Sequence, residues 1–243
     1  LAAEHPDREI VFFAIGFETT APAAAAAVLR ARDRGLRNFS ICSVMKLTIP
    51  GARALLGMGE IKVDAVIGPG HVSSIIGSDA WRFLPDEYGI PVAISGFETL
   101  DLLSAIDALL RMIEEGSPDL VNSYSRIVKP GGNRKAWDAV QQVFELRGAS
   151  WRGFGEIPTS GLALREEFAD FDADRRFDIH IEPAAEHPAC RCGEVLRGVA
   201  TPPECKVFGS ICTPENPLGP CMVSSEGSCA AYYHYHRHQP PQA

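Results

Sequence analysis

Six of the seven cysteines, Cys190, Cys192, Cys205, Cys212, Cys221 and Cys229, fall between residues 190 and 229, and only Cys42 lies elsewhere. From residue 151 onward the chain is punctuated by Gly153, Gly155, Pro158 and Gly161, and then becomes Pro-rich and Cys-rich with little hydrophobic period. A segment of that kind can hardly close an apolar core by itself, so the thiols are its organisers. A 243-residue chain with 46% hydrophobic residues has no need of disulfides to stabilise its main core. A cytosolic setting keeps thiols reduced, so the cluster argues for metal or redox chemistry; a small disulfide-stapled appendage is the alternative.

Upstream, short apolar runs alternate with amphipathic stretches. Residues 10–15, 39–45, 63–67 and 91–95 are rich in Val, Ile or Phe with little polar alternation, as in strands buried on both faces. Helical patterns cover residues 22–34, 50–58, 78–84, 100–114 and, after the Lys129-Pro130-Gly131-Gly132 turn, 133–146. A short helix is expected at about 162–171, and a fraying tail over 232–243. Strand then helix, repeated, predicts an α/β fold: an open parallel sheet with helices on both faces over residues 1–150, followed by a loop-rich, cysteine-rich domain over 151–243.

Charge narrows the function classes. Lys and Arg number 23 against 31 Asp and Glu, a net charge of −8, so no broad cationic surface is expected to attract nucleic acid or an anionic membrane. No apolar run approaches the roughly 18 residues of a spanning helix, and no leader pattern opens the chain, so a cytoplasmic location is expected. The first residue is Leu1 and a strand follows within a few residues, so a segment of a longer protein is expected.

One junction occurs twice: Ala14-Ile15-Gly16-Phe17-Glu18-Thr19 is echoed by Ala93-Ile94-Ser95-Gly96-Phe97-Glu98-Thr99, each time where a strand gives way to a helix. Glycine permits the tight turn, threonine suits a helix cap, and the glutamate stands where a helix dipole favours an anion. Helix capping is therefore one reading of Glu18, Thr19 and Glu98, and a functional role at the carboxyl ends of the strands is the other. His71 follows Gly68-Pro69-Gly70, a tight turn that would expose its imidazole at the sheet edge. This turn lacks the Lys-Ser/Thr of a phosphate loop and the third glycine of a dinucleotide fingerprint, and no Gly-x-Ser-x-Gly elbow marks a hydrolase. Cys42 sits in an apolar strand and reads as core. Glu156, Glu194 and Glu226 read as solvated loop carboxylates, or else as tuning a metal or touching a partner. The alternation His234-x-His236-x-His238 is a weak candidate for chelation.

The gaps between the six clustered cysteines are 1, 12, 6, 8 and 7 residues. No Cys-x2-Cys knuckle of a zinc finger is present, nor the short-spaced ferredoxin run. Four converging thiolates suit a [4Fe-4S] cluster or zinc, and spacing alone does not say which four of the six serve.

Several long motifs, in order, carry a resemblance: Phe13-Ala14-Ile15-Gly16-Phe17-Glu18-Thr19-Thr20-Ala21-Pro22, Gly68-Pro69-Gly70-His71-Val72, Gly96-Phe97-Glu98, Cys190-Arg191-Cys192-Gly193-Glu194-Val195-Leu196-Arg197-Gly198, Cys212-Thr213-Pro214-Glu215-Asn216-Pro217 and Gly219-Pro220-Cys221-Met222-Val223-Ser224-Ser225-Glu226-Gly227. Over about residues 8–235 the chain resembles the HypD family of hydrogenase maturation factors. The resemblance implies a cytoplasmic iron-sulfur protein that works with a HypC-like chaperone and a HypE-like cyanide donor to build the Fe(CN)2CO unit of [NiFe] hydrogenase. It implies one [4Fe-4S] cluster on the pattern Cys-x14-Cys-x6-Cys-x16-Cys, which selects Cys190, Cys205, Cys212 and Cys229. Cys192 and Cys221 are then either a nearby dithiol pair or simply small buried residues. Glu18, Thr19, Thr20 and His71 belong to motifs that face the assembly cleft, which suggests support of the iron site or proton handling. The family's Cys-Gly-x-His and Gly-Pro-Gly-Cys-Pro-x-Cys motifs do not occur in these 243 residues, so they are not expected to assemble the cofactor by themselves. The competing reading is a zinc-stabilised protein-interaction module without redox activity.

Overall fold

The computed structural model describes residues 1–179 and 187–236. In chain order the elements are β1 (Ile10–Ala14), α1 (Ala21–Asp33), β2 (Phe39–Ser43), α2 (Thr48–Leu56), β3 (Val66–Pro69), α3 (Gly70–Ile76), α4 (Phe83–Tyr88), β4 (Val92–Ser95), α5 (Thr99–Glu115), β5 (Leu120–Asn122), α6 (Arg134–Val143), β6 (Phe144–Trp151), β7 (Gly155–Leu164), α7 (Ala173–Arg176), α8 (Cys192–Leu196), α9 (Pro220–Val223) and α10 (Ser228–Tyr235). The expected α/β architecture is present, with parallel sheets flanked by helices and a loop-rich, cysteine-bearing C-terminal region. The parallel strands are divided between a pair, β1-β2, and a trio, β3-β4-β5.

The chain forms two compact units. The first comprises Leu1–Gly51, Asp64–Ala149 and Pro158–His180; the second comprises Ala52–Val63, Ser150–Ile157 and Ile181–Ala243.

In the first unit the alanine run of α1 buries Ala21, Ala24, Ala25, Val28 and Ala31. Small side chains at that spacing let the helix lie close to its neighbours, and α1 shares a core with Ile41, Met45, Val143, Phe144 and Phe168. Pro22 occupies the first turn, where its missing N–H costs nothing. The four residues of β4 are all buried, as a central parallel strand requires. Helix α5 buries Asp101, Ala105, Leu109 and Met112, and Ala105, Leu109 and Met112 share a core with Ala93 of β4. Gly116 closes the helix at φ 63, a left-handed position that glycine fills at least cost.

Several sequence expectations change. The short helix expected at about 162–171 is a 3-10 helix over Glu166–Phe171, because residues 162–164 belong to β7. The helix at 133–146 ends at Val143, because Phe144 turns into a strand and is 2% exposed. The loop expected after Trp151 is instead the hairpin β6-β7, closed by a three-residue connection that leaves room only for antiparallel strands. Gly161 within it is a packing glycine, since a Cβ there would stand 2.9 Å from Ala149 Cβ. In the tail, α10 runs to Tyr235 where fraying from Tyr232 was expected; residues 237–243, including His238, lie outside the described residues.

Candidate functional site

The second unit gathers the cysteines. Cys192 opens α8, Cys221 lies in α9 and Cys229 in α10, while Cys190 precedes α8 and Cys205 and Cys212 sit on the turns between α8 and α9. All six line one small closed cavity, whose apolar wall includes Val195, Val207 and Phe208. No disulfide joins them. Local chemistry sets each turn. The Glu204 carboxylate accepts from the Thr201 N–H and hydroxyl at 2.6 and 2.8 Å, fixing the 3-10 turn that ends at Cys205. The Leu218 N–H donates to Cys212 Sγ at 3.4 Å. A Cβ on Gly219 would stand 2.5 Å from Cys190 Sγ, and one on Gly227 would stand 2.3 Å from the Cys221 carbonyl oxygen, so both glycines are demanded by close approach. Glu194, expected as a solvated carboxylate, accepts from Arg191 Nε at 2.8 Å.

Cys221 Sγ and Cys229 Sγ are 3.0 Å apart. Hydrogen bonds from Cys192 and Cys229 draw the Cys221 thiol down, and the two donors are pushed up because giving a proton away would cost each its acceptor. Burial raises Cys190. Among the described residues no three His, Cys, Asp or Glu side chains are grouped to hold a metal ion as they stand, so the sulfurs meet as the wall of a pocket. The donor set nevertheless fits a thiolate-bound group: soft ligands from separate turns face one enclosed, apolar space.

The residues nominated at the strand ends lie in the first unit and do not form one site. Glu18 is 2% exposed. Its carboxylate accepts from the Thr48 N–H and the Thr48 hydroxyl, both at 2.7 Å. Capping is therefore what Glu18 does, but for the first residue of α2, 30 positions away, and not for the helix it precedes. Burial pushes its carboxyl up, against the lowering pull of the Thr48 bonds. Glu18 also lines a cavity of 620 Å³ with Trp137, Asp138 and Arg134, a wall that does not include Thr19, Thr20 or His71.

Thr20, and not Thr19, stands at the N-cap of α1, and its side chain makes no cap bond to the helix. Its backbone is already helical, and its hydroxyl donates to Phe17 O at 2.9 Å and Ile15 O at 3.3 Å. Thr19 is exposed. His71 lies in the first turn of α3, not in a free turn, and is exposed with its ring 4.6 Å from that of Phe97. The second copy of the junction differs from the first: Glu98 is exposed and pairs with Arg126 at 3.0 Å. Arg126 also clamps the buried Asp101 with two bonds, holding that carboxyl below the usual range, and stacks on Tyr124. A Cβ on Gly96 would meet both Asp101 and Tyr124. Thr48 and this Asp101-Arg126-Tyr124 clamp went unread in the sequence, where only the doubled Gly-Phe-Glu-Thr pointed to them. Cys42 is buried, as expected of a core residue, 3.7 Å from Asp174.

Fold and site together define an α/β protein with an appended polythiol centre. Comparison with known proteins narrows this further. Residues 1–236 match the family model HypD, described as "Hydrogenase formation hypA family". Over 98% of its length the chain is 48% identical to the hydrogenase maturation factor HypD of Azotobacter vinelandii, 46% to that of Cupriavidus necator and 40% to that of Escherichia coli (strain K12). The chain belongs to the HypD family of hydrogenase maturation factors. It spans 64% of the length of each of these three relatives. Among the described residues no helix is long and apolar enough to cross a membrane.

Proposed function

We propose that the chain serves as a cytoplasmic iron-sulfur scaffold in hydrogenase maturation, supporting assembly of the Fe(CN)2CO unit of [NiFe] hydrogenase with a HypC-like chaperone and a HypE-like cyanide donor. The observation that carries this reading is the convergence of six thiols on one enclosed cavity in a member of the HypD family. Cys190, Cys205, Cys212 and Cys229 are the ligands of a [4Fe-4S] cluster, which when bound supplies electrons. The protein's own part is to hold four thiolates on turns fixed by Glu204, Gly219 and Gly227, and to keep water out with Val195, Val207 and Phe208. Cys192 and Cys221 stand beside these ligands as a thiol pair. Of the residues nominated at the strand ends, Glu18 and Thr20 hold the backbone, and the exposed Thr19 and His71 are the two left to support the iron site.

Anaerobic quantitation of iron, sulfide and zinc, with a visible spectrum, tests the reading on the wild type and on Cys190→Ala, Cys205→Ala, Cys212→Ala and Cys229→Ala. The expected result is about four iron and four sulfide per chain with broad absorption near 400 nm, lost in each variant. Colourless protein with stoichiometric zinc, or iron indifferent to all four changes, would return the region to a structural role.

A further inference from the structure

Helix α5 carries two apolar faces and uses one. At about 100° per residue, Asp101, Ala105, Leu109 and Met112 cluster on the face that packs against β4, while Leu102, Leu103, Ile106, Leu110 and Ile113 lie roughly 60° to 160° further round. Leu103, Ile106, Leu110 and Ile113 are 59%, 41%, 54% and 44% exposed. Their spacing of three, four and three residues is that of the a and d positions of a coiled-coil seam. Ile67 extends the patch onto β3: it pairs in parallel register with Ala93, which packs beneath α5, and it is itself exposed. An apolar strip of this length on a capped, 17-residue helix is larger than the scattered exposed residues of an ordinary surface.

Charge selects the occupant. In the same register the position beside the seam on its solvent side is Asp107 in one heptad and Glu114 in the next. The opposite flank is Leu102, at the edge of the strip, and Leu109, which is buried. Arg111 answers Asp107 at 3.0 Å across an exposed pair, and Glu114 makes no ion pair among the described residues. A second copy of α5 packed antiparallel would set Asp107 and Glu114 against their own counterparts. Packed parallel, it would set them against Leu102 and Leu109. Neither arrangement brings a cation to Glu114. We infer that this face is a docking surface for an amphipathic helix of a separate protein, one with apolar residues at a and d and lysine or arginine along its flank. The inference does not depend on the proposed maturation role.

Two synthetic helical peptides of about three heptads probe it, both with Ile and Leu at a and d, one flanked by Lys and the other by Glu. Fluorescence anisotropy against the whole chain should show the Lys-flanked peptide binding at least tenfold more tightly, with the difference shrinking at high salt. Leu110→Gln, a change at an exposed position that leaves the circular dichroism spectrum unaltered, should weaken binding at least tenfold. Asp107→Lys combined with Glu114→Lys should reverse the preference. Equal binding of both peptides, or indifference to Leu110→Gln, overturns the inference. So does a self-associated chain whose dimer is lost in Leu110→Gln, which assigns the face to a second copy. Failure of the longer Azotobacter vinelandii relative to bind the Lys-flanked peptide also overturns it, since the face would then be covered by polypeptide beyond these 243 residues.

Discussion

Replacing Glu18 by alanine removes the acceptor on which the Thr48 N–H and hydroxyl converge, each at 2.7 Å. A hydrogen bond to a charged group is worth about 1.5–3 kcal/mol, and loss of a helix cap costs about 1 kcal/mol. The hydroxyl can turn to water in the adjoining cavity, so only the N–H is stranded, and removing a buried carboxylate returns part of the loss. The net expectation for Glu18→Ala is a destabilisation of about 1.5–2.5 kcal/mol. Glu18→Gln keeps an oxygen for the Thr48 N–H and offers its amide to the hydroxyl oxygen, while removing the charge. It should lie within about 1 kcal/mol of wild type near neutral pH.

The pH dependence has a definite sign. Because burial raises this carboxyl in the folded chain, the folded protein binds more protons than the unfolded one between the ordinary value of 4.5 and the raised one. The proton-linked part of the Glu18 contribution is therefore fully present below that window and is lost as pH rises through it, while the Thr48 bonds to the carboxylate persist above it; Glu18→Gln abolishes this slope. Urea unfolding at several pH values, with hydrogen exchange at the Thr48 amide, measures both effects. The reasoning fails if Glu18→Gln is as damaging as Glu18→Ala, or if Thr48 protection is unchanged in Glu18→Ala.

Two further outcomes are expected. Gly219→Ala places a Cβ against Cys190 Sγ and should cut iron per chain by more than half after anaerobic reconstitution, whereas Gly209→Ala, which meets nothing within 4 Å but sits at φ 67, should keep iron loading and lose about 1 kcal/mol of stability. Asn133→Ala removes the acceptor for the Ala136 N–H at 3.1 Å at the start of α6 and should cost about 1 kcal/mol in urea unfolding, with Asn133→Ser close to wild type.

The first four strands were legible as short apolar runs with little polar alternation, although β3 forms over Val66–Pro69 where residues 63–67 were expected. Strand β5 is three residues long, too short to show a period, and β7 hides behind Gly155, Pro158 and Gly161, residues that usually announce a loop. The thiol cluster was legible as residue types, but the nearness of Cys192, Cys221 and Cys229 depends on how α8, α9 and α10 fold back, which spacing does not encode. Glu18 was read as a helix-terminus anion, correctly in kind, yet its partner Thr48 is reached only through the β1-β2 pairing. The second face of α5 was written in the sequence as seven large apolar residues between 102 and 113, more than one buried face can use.

The interleaving of the two units constrains how the chain can be divided and how it is made. Leu162, Leu164 and Phe168 are 1 or 2% exposed in the core of the first unit, although they follow residues 150–157, which belong to the second. A truncation at residue 150, where a separate C-terminal domain was expected to begin, would therefore strip the sheet unit of its own interior, and a piece that keeps this core should end near residue 180. On a ribosome, Ile41 and Val28 must wait for more than a hundred further residues before their cover emerges. During that interval the apolar side of α1 and β2 is a client for a chaperone or for aggregation, so yield on expression should track translation speed and temperature more steeply than final stability does.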